Sequence, residues 1–171
     1  LNTFNTVSVT VARVTEIVIL SGFGLIWLSA PKLPVPPWLV IPAGVLIAAA
    51  LVFAAYKRGM SGNQAIAKNA WRIYGIVNIL QVIAIFATVS IAGRSGHGDL
   101  IPSIIAIIVG AHFLPFAKPF GRPEYLVTAA LLIAAGAIGL FAGPVFTGLA
   151  CAAVLWGTAV YRIRQSSPVT A

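Results

Sequence analysis

Residues 100–125 read "LIPSIIAIIVGAHFLPFAKPFGRPEY". From Leu100 to Ala117 the stretch is apolar apart from Ser103 and His112, and it is bounded by Lys118, Pro119 and Arg122 on one side and by "GRSGHGD" on the other. A run of that length fits a helix crossing the ~30 Å hydrocarbon core of a bilayer at ~1.5 Å per residue. Its apolarity does not alternate, so no lumen-facing side remains for a barrel strand. The backbone must then satisfy its own hydrogen bonds, and only a helix does that within one segment.

Working outward, similar runs recur at approximately 9–30, 38–56, 72–92, 124–142 and 144–163, giving six candidate spans with the one at 100–117. "APKLPVPPW", "YKRGMSGNQAIAKNAW" and "GPVF" separate them, and only the connection at 57–71 exceeds a tight turn. The expected fold is all-α, an integral membrane six-helix bundle forming one transmembrane domain over 1–171. Composition agrees: 60% of residues are apolar and 8% charged, with a mean hydropathy of +1.01, against roughly 25% charged residues in a soluble domain. No basic n-region with a cleavage motif precedes the first run, so no signal peptide is assigned.

Nine of the eleven Lys and Arg residues fall on one side: Arg13, Lys57, Arg58, Lys68, Arg72, Lys118, Arg122, Arg162 and Arg164. Lys32 and Arg94 fall on the other. The positive-inside rule then places both termini in the cytoplasm and the protein in a cytoplasmic membrane. Tyr56, Tyr74, Tyr125 and Tyr161 sit at span ends on the basic side, and Trp27 and Trp38 are expected to flank the opposite interface. The charge of +8 is accounted for by this asymmetry and by attraction to anionic lipid, so a nucleic-acid partner is not expected.

An internal repeat is legible. "RVTEIVIL" from Arg13 resembles "RIYGIVNIL" from Arg72, and Pro42/Pro102 and Phe53/Phe113 each lie 60 residues apart. Spans 1–2 and 3–4 read as copies of one hairpin, with spans 5–6 a weaker third copy, the three arranged about a common axis. His112 and Pro115 are additions to that template. Pro115 should deprive the Ala111 carbonyl of its usual helical donor.

Asp99 is placed to cap the fourth span, and Glu124 starts the fifth after Pro123, where an acid complements the helix dipole. Glu16 has no such role. It lies about two turns inside the first span, three residues after Arg13, where an i,i+3 pair is available. A carboxylate inside a span is costly and faces the bundle interior or water. Counted along their helices, Glu16, Asn78, Gln81 and His112 come out at one level, roughly 8 to 14 Å inside the boundary. Two readings stand: a solute-binding pocket of Arg13, Glu16, Asn78, Gln81 and His112, or a hydrogen-bond network joining helices.

No nucleophile motif, C-x-x-C or H-E-x-x-H is present, one His with one Glu is too few for a metal site, and "GMSGN" lacks the lysine of a phosphate loop. No catalytic residue, metal or cofactor is assigned. Cys151, the single cysteine, reads as a small packing residue. Small-solute binding or transport heads the functional readings, ahead of a non-catalytic membrane subunit or scaffold and, third, an intramembrane enzyme. Gly139 and Gly143 form a GxxxG pair that permits close packing or homo-oligomerisation.

"IPSIIAIIVGAHFLPFAKPFGRPEY" resembles a segment of an uncharacterised family of small bacterial six-span membrane proteins, with a His-Phe-Leu-Pro core after a Val-Gly pair. The similarity covers roughly residues 72–163. It implies a bacterial inner-membrane protein and no particular chemistry. The family pattern places an acid in the third span, where this chain has Asn78 and Gln81.

Overall fold

The computed structural model describes residues 3–29, 36–58, 70–118 and 122–165. The described residues form six α-helices and no strand: α1 (Thr3–Ser29), α2 (Pro37–Lys57), α3 (Ala70–Arg94), α4 (Ile101–Phe113), α5 (Glu124–Ala142) and α6 (Pro144–Gln165). Among the described residues, five segments are long and apolar enough to cross a membrane, one of them Gly98–Phe116, which joins α4 to its flanking turns. In α1 the side chains are described from Val14, and Val14–Ser29 is likewise apolar. These helices are compatible with a multi-pass membrane protein. Most of the connection after α2, with Lys68, lies outside the described residues, as do Lys32 and the side chains of Arg13, Trp71 and Arg72.

Prolines and a glycine set the helix ends. Pro37 and Pro102 occupy first turns, where a missing N–H costs nothing. Gly143 ends α5 at φ +89°, ψ 174°, a backbone region essentially closed to side chains, with its N–H donated to Gly139 O at 2.8 Å. Gly143→Ala is therefore expected to cost about 1–3 kcal/mol, read as a lowered melting temperature in detergent.

Two expectations at these ends need correction. Asp99 lies within a short 3₁₀ turn, Gly98–Leu100, and α4 has no side-chain cap. Pro115 does not strand the Ala111 carbonyl, because the chain tightens into a 3₁₀ turn at Leu114–Phe116 and the Leu114 N–H donates to Ala111 O instead.

The main helix contacts run α2–α1–α6–α5–α4–α3, each helix antiparallel to the next, and α6 also touches α2 and α4. The core is built from Ile17 and Leu20 of α1, Ala106 and Val109 of α4, Leu132 and Ala135 of α5, and Cys151, Leu155 and Ala159 of α6. Trp27 joins this core at 6% exposure rather than standing at an interface, whereas Trp38 is exposed. Among the described residues, none of α3 enters the core cluster. The hairpins therefore do not surround a common axis: α1 packs between α2 and α6, while α3, its counterpart in the expected repeat, packs on α4 and the adjoining 3₁₀ turns.

Small residues let the central helices close up. A Cβ on Gly139 would run into the Thr147 hydroxyl and lie 2.8 Å from Ser103 Oγ, so this glycine serves packing within the bundle. At the ends of α2 and α6, Arg58 Nη1 donates to Ile163 O at 3.0 Å and satisfies a terminal carbonyl.

Candidate functional site

Two acids and two arginines meet where α1, α5 and α6 converge. Glu124 is the first residue of α5 and follows Pro123 at the N-cap position. Its Oε1 accepts a hydrogen bond from Arg162 Nη1 at 2.7 Å. Arg162 lies in the last turn of α6 and also brings Nε to 3.3 Å from Glu16 Oε1. The same Glu16 oxygen accepts the Tyr125 hydroxyl at 2.6 Å. Arg122 closes the ring more loosely, 3.7 Å from Glu16 Oε2 and 3.6 Å from Glu124 Oε1. The four charged side chains are only 8–15% exposed.

Electrostatics explains the alternation. A carboxylate shielded from water needs a cation in contact, and each acid here has two. The short Arg162–Glu124 and Tyr125–Glu16 bonds are the charge-assisted, directional ones; the Arg122 pairs exceed hydrogen-bonding distance and act through charge alone. Two acids and two arginines sum to no net charge.

The chain does not bring all the residues singled out in the sequence to this point. Glu16 is level with the first turn of α5 and the last of α6, through the contacts just given. Arg13's side chain lies outside the described ones, so its pairing with Glu16 is not part of this geometry. Asn78 donates to Tyr74 O within α3 at 2.7 Å. His112 turns into an aromatic setting, with its ring edge-to-face on Phe116 at 4.7 Å and near Phe113 at 5.6 Å. Both His112 nitrogens are buried without a hydrogen-bond partner. Phe113 in turn packs edge-to-face on Tyr125 at 5.4 Å, so aromatic rings stand between His112 and the charged ring. Gln81 is partly buried on α3.

Arg122, Glu124, Tyr125 and Arg162 were legible only as topogenic charges, a helix start and a belt tyrosine. The signal that could have found them is the cost of Glu16 itself, which calls for cations from other helices near the same level.

Away from the ring, two pairs of hydroxyls meet between helices. Thr128 and Thr158 hydroxyls lie 2.9 Å apart, one turn from Glu124 and Arg162. Ser103 and Thr147 lie 3.0 Å apart farther along. The two pairs are separated by about 16 Å along α6, a length packed by Leu132, Ala135, Cys151 and Leu155, all buried. Among the described residues no three of His, Cys, Asp and Glu come together as a metal-binding group.

A family model described as a family of unknown function matches residues 13–165. The chain belongs to DUF7010. The matched stretch of this DUF7010 chain contains every member of the charged ring, and it extends well before residue 72, where the resemblance in the sequence began. Comparison with curated proteins and with solved structures finds no match.

Proposed function

We propose that this DUF7010 chain is a multi-pass membrane protein acting as a non-catalytic membrane subunit or scaffold, with the charged ring clasping α1 to α5 and α6. The observation that carries this reading is the mutual compensation of the ring: Glu16 and Glu124 are each met by Arg122 and Arg162, leaving no surplus charge to draw in a solute. The apolar packing between the two hydroxyl pairs adds support, since a polar solute entering it would lose hydration with nothing in exchange.

The test is in-cell photo-crosslinking from Ile79, exposed on α3. A scaffold yields one adduct of defined mass, retained when Arg122 is replaced by glutamine. No adduct, together with saturable uptake of a small anion into proteoliposomes, would overturn the reading.

A second reading, solute binding at Arg13, Glu16, Asn78, Gln81 and His112, is favoured by the unpartnered His112 nitrogens and by the long contacts of Arg122. It predicts saturable quenching of tryptophan fluorescence by acetate or inorganic phosphate, lost in His112→Ala. The clasp predicts no saturation.

A further inference from the structure

Beyond the charged ring, α1 and α2 pack side by side at the end of the row of helices. They leave a groove of about 640 Å³ lined by Val14, Val18, Leu25, Val45, Val52 and Phe53, with Gly22 in its wall. Ser21 is the one polar side chain among its lining residues besides Tyr56 at the end. From Val14 to Leu25 the groove runs about 16 Å along α1, close to the ~15 Å depth of one leaflet's hydrocarbon. At the Val14 end stand exposed Tyr56 and, beyond it, Lys57, whose ammonium lies 5.2 Å from the centroid of the groove-lining Phe53 ring. The molecule thus offers an apolar channel of single-leaflet length with a cation at its mouth.

We infer that this groove binds a phospholipid with an anionic headgroup, one acyl chain lying between α1 and α2 and the phosphate meeting Lys57. The inference rests on the chain being embedded in a bilayer and is independent of what the charged ring does. Charge complementarity selects this occupant. A zwitterionic phospholipid offers the same phosphate but carries its own compensating cation and so gains less from the ammonium, and a second copy's apolar helix would leave the cation facing hydrocarbon. Tyr56 suits the same position, because its ring sits at headgroup level.

Gly22 supplies the decisive variant. Gly22 lines the groove, and a Cβ built on it meets nothing within 4 Å, so a larger residue can start there without an immediate clash. Gly22→Phe should also favour the helix, since glycine is the poorer helix former. The protein is purified in mild detergent, incubated with equimolar phosphatidylglycerol and phosphatidylcholine, stripped of loose lipid, and weighed by native mass spectrometry. One phosphatidylglycerol per chain is expected on the wild type and none on Gly22→Phe at unchanged melting temperature. Lys57→Gln should cut the preference for phosphatidylglycerol about fivefold, the worth of one basic residue near an anionic surface. Equal retention of both lipids, full retention by Gly22→Phe, absence of bound lipid, or a lipid-free dimer would overturn the inference.

Discussion

Arg162→Gln is expected to destabilise the protein by about 3 kcal/mol, near the lower end for breaking a buried ion pair because the ring is partly wetted at its rim. The loss is larger than the hydrogen bond itself. Arg162 contacts Glu124 at 2.7 Å and Glu16 at 3.3 Å, so its removal leaves two shielded carboxylates sharing Arg122. Arg122→Gln, by contrast, removes only contacts of 3.6 and 3.7 Å and should cost less than half as much. Adding Glu124→Gln to Arg162→Gln restores one acid to one arginine. The double variant should therefore be more stable than the sum of the single losses, by about 1–3 kcal/mol of coupling. Thermal unfolding in one detergent compares the wild type, the three single variants and the double variant. Equal effects of Arg122→Gln and Arg162→Gln, or strict additivity in the double variant, would show that the ring does not act as a unit.

Gly136→Ala should cost about 2 kcal/mol, and Gly136→Leu more, because α4 and α5 touch there through backbone. A Cβ at Gly136 would lie 2.6 Å from Ser103 O, 2.7 Å from Ile107 Cγ1 and 3.0 Å from Ile107 N. Two of those atoms are main chain and cannot swing aside, so the helices must part. Parting them also strains the Ser103–Thr147 hydroxyl pair next to Gly139. The matched control is Gly75→Ala on α3, whose Cβ would meet nothing within 4 Å. There the only change is helix propensity, and stability should rise by up to about 1 kcal/mol. The same chemical substitution thus changes sign between two helices of one protein, and paired melting curves report it. Loss of stability at both positions would mean that backbone contact is not what distinguishes them.

Pro102, Pro123, Gly143 and Pro144 mark helix ends through local sterics, and α5 spans Glu124–Ala142 as the apolar run indicated. Long apolar runs likewise select helices, because the backbone has no other way to satisfy itself in hydrocarbon. Those features depend on neighbours in the chain, so the order of residues is sufficient to read them.

Which helices meet is a different matter. Helices apolar on nearly every side present no stripe to choose a partner, and counting residues from a boundary gives a level but no direction around the bundle. Glu16, Asn78, Gln81 and His112 looked like neighbours on that count. The fold instead turned Glu16 toward Arg162 and Tyr125, left Asn78 bonded within α3, and set His112 against Phe116.

By itself the order of residues determined an all-α chain with long apolar helices, their ends, and the rarity of charge that makes Glu16 matter. Only tertiary structure decided its company, because Arg122 and Arg162 stand more than a hundred residues away in sequence. They come within 4 Å only once α1 packs beside α6, and α6 beside α5. Ion pairing in a medium poor in water acts over a few ångströms of space, a distance that chain position does not encode.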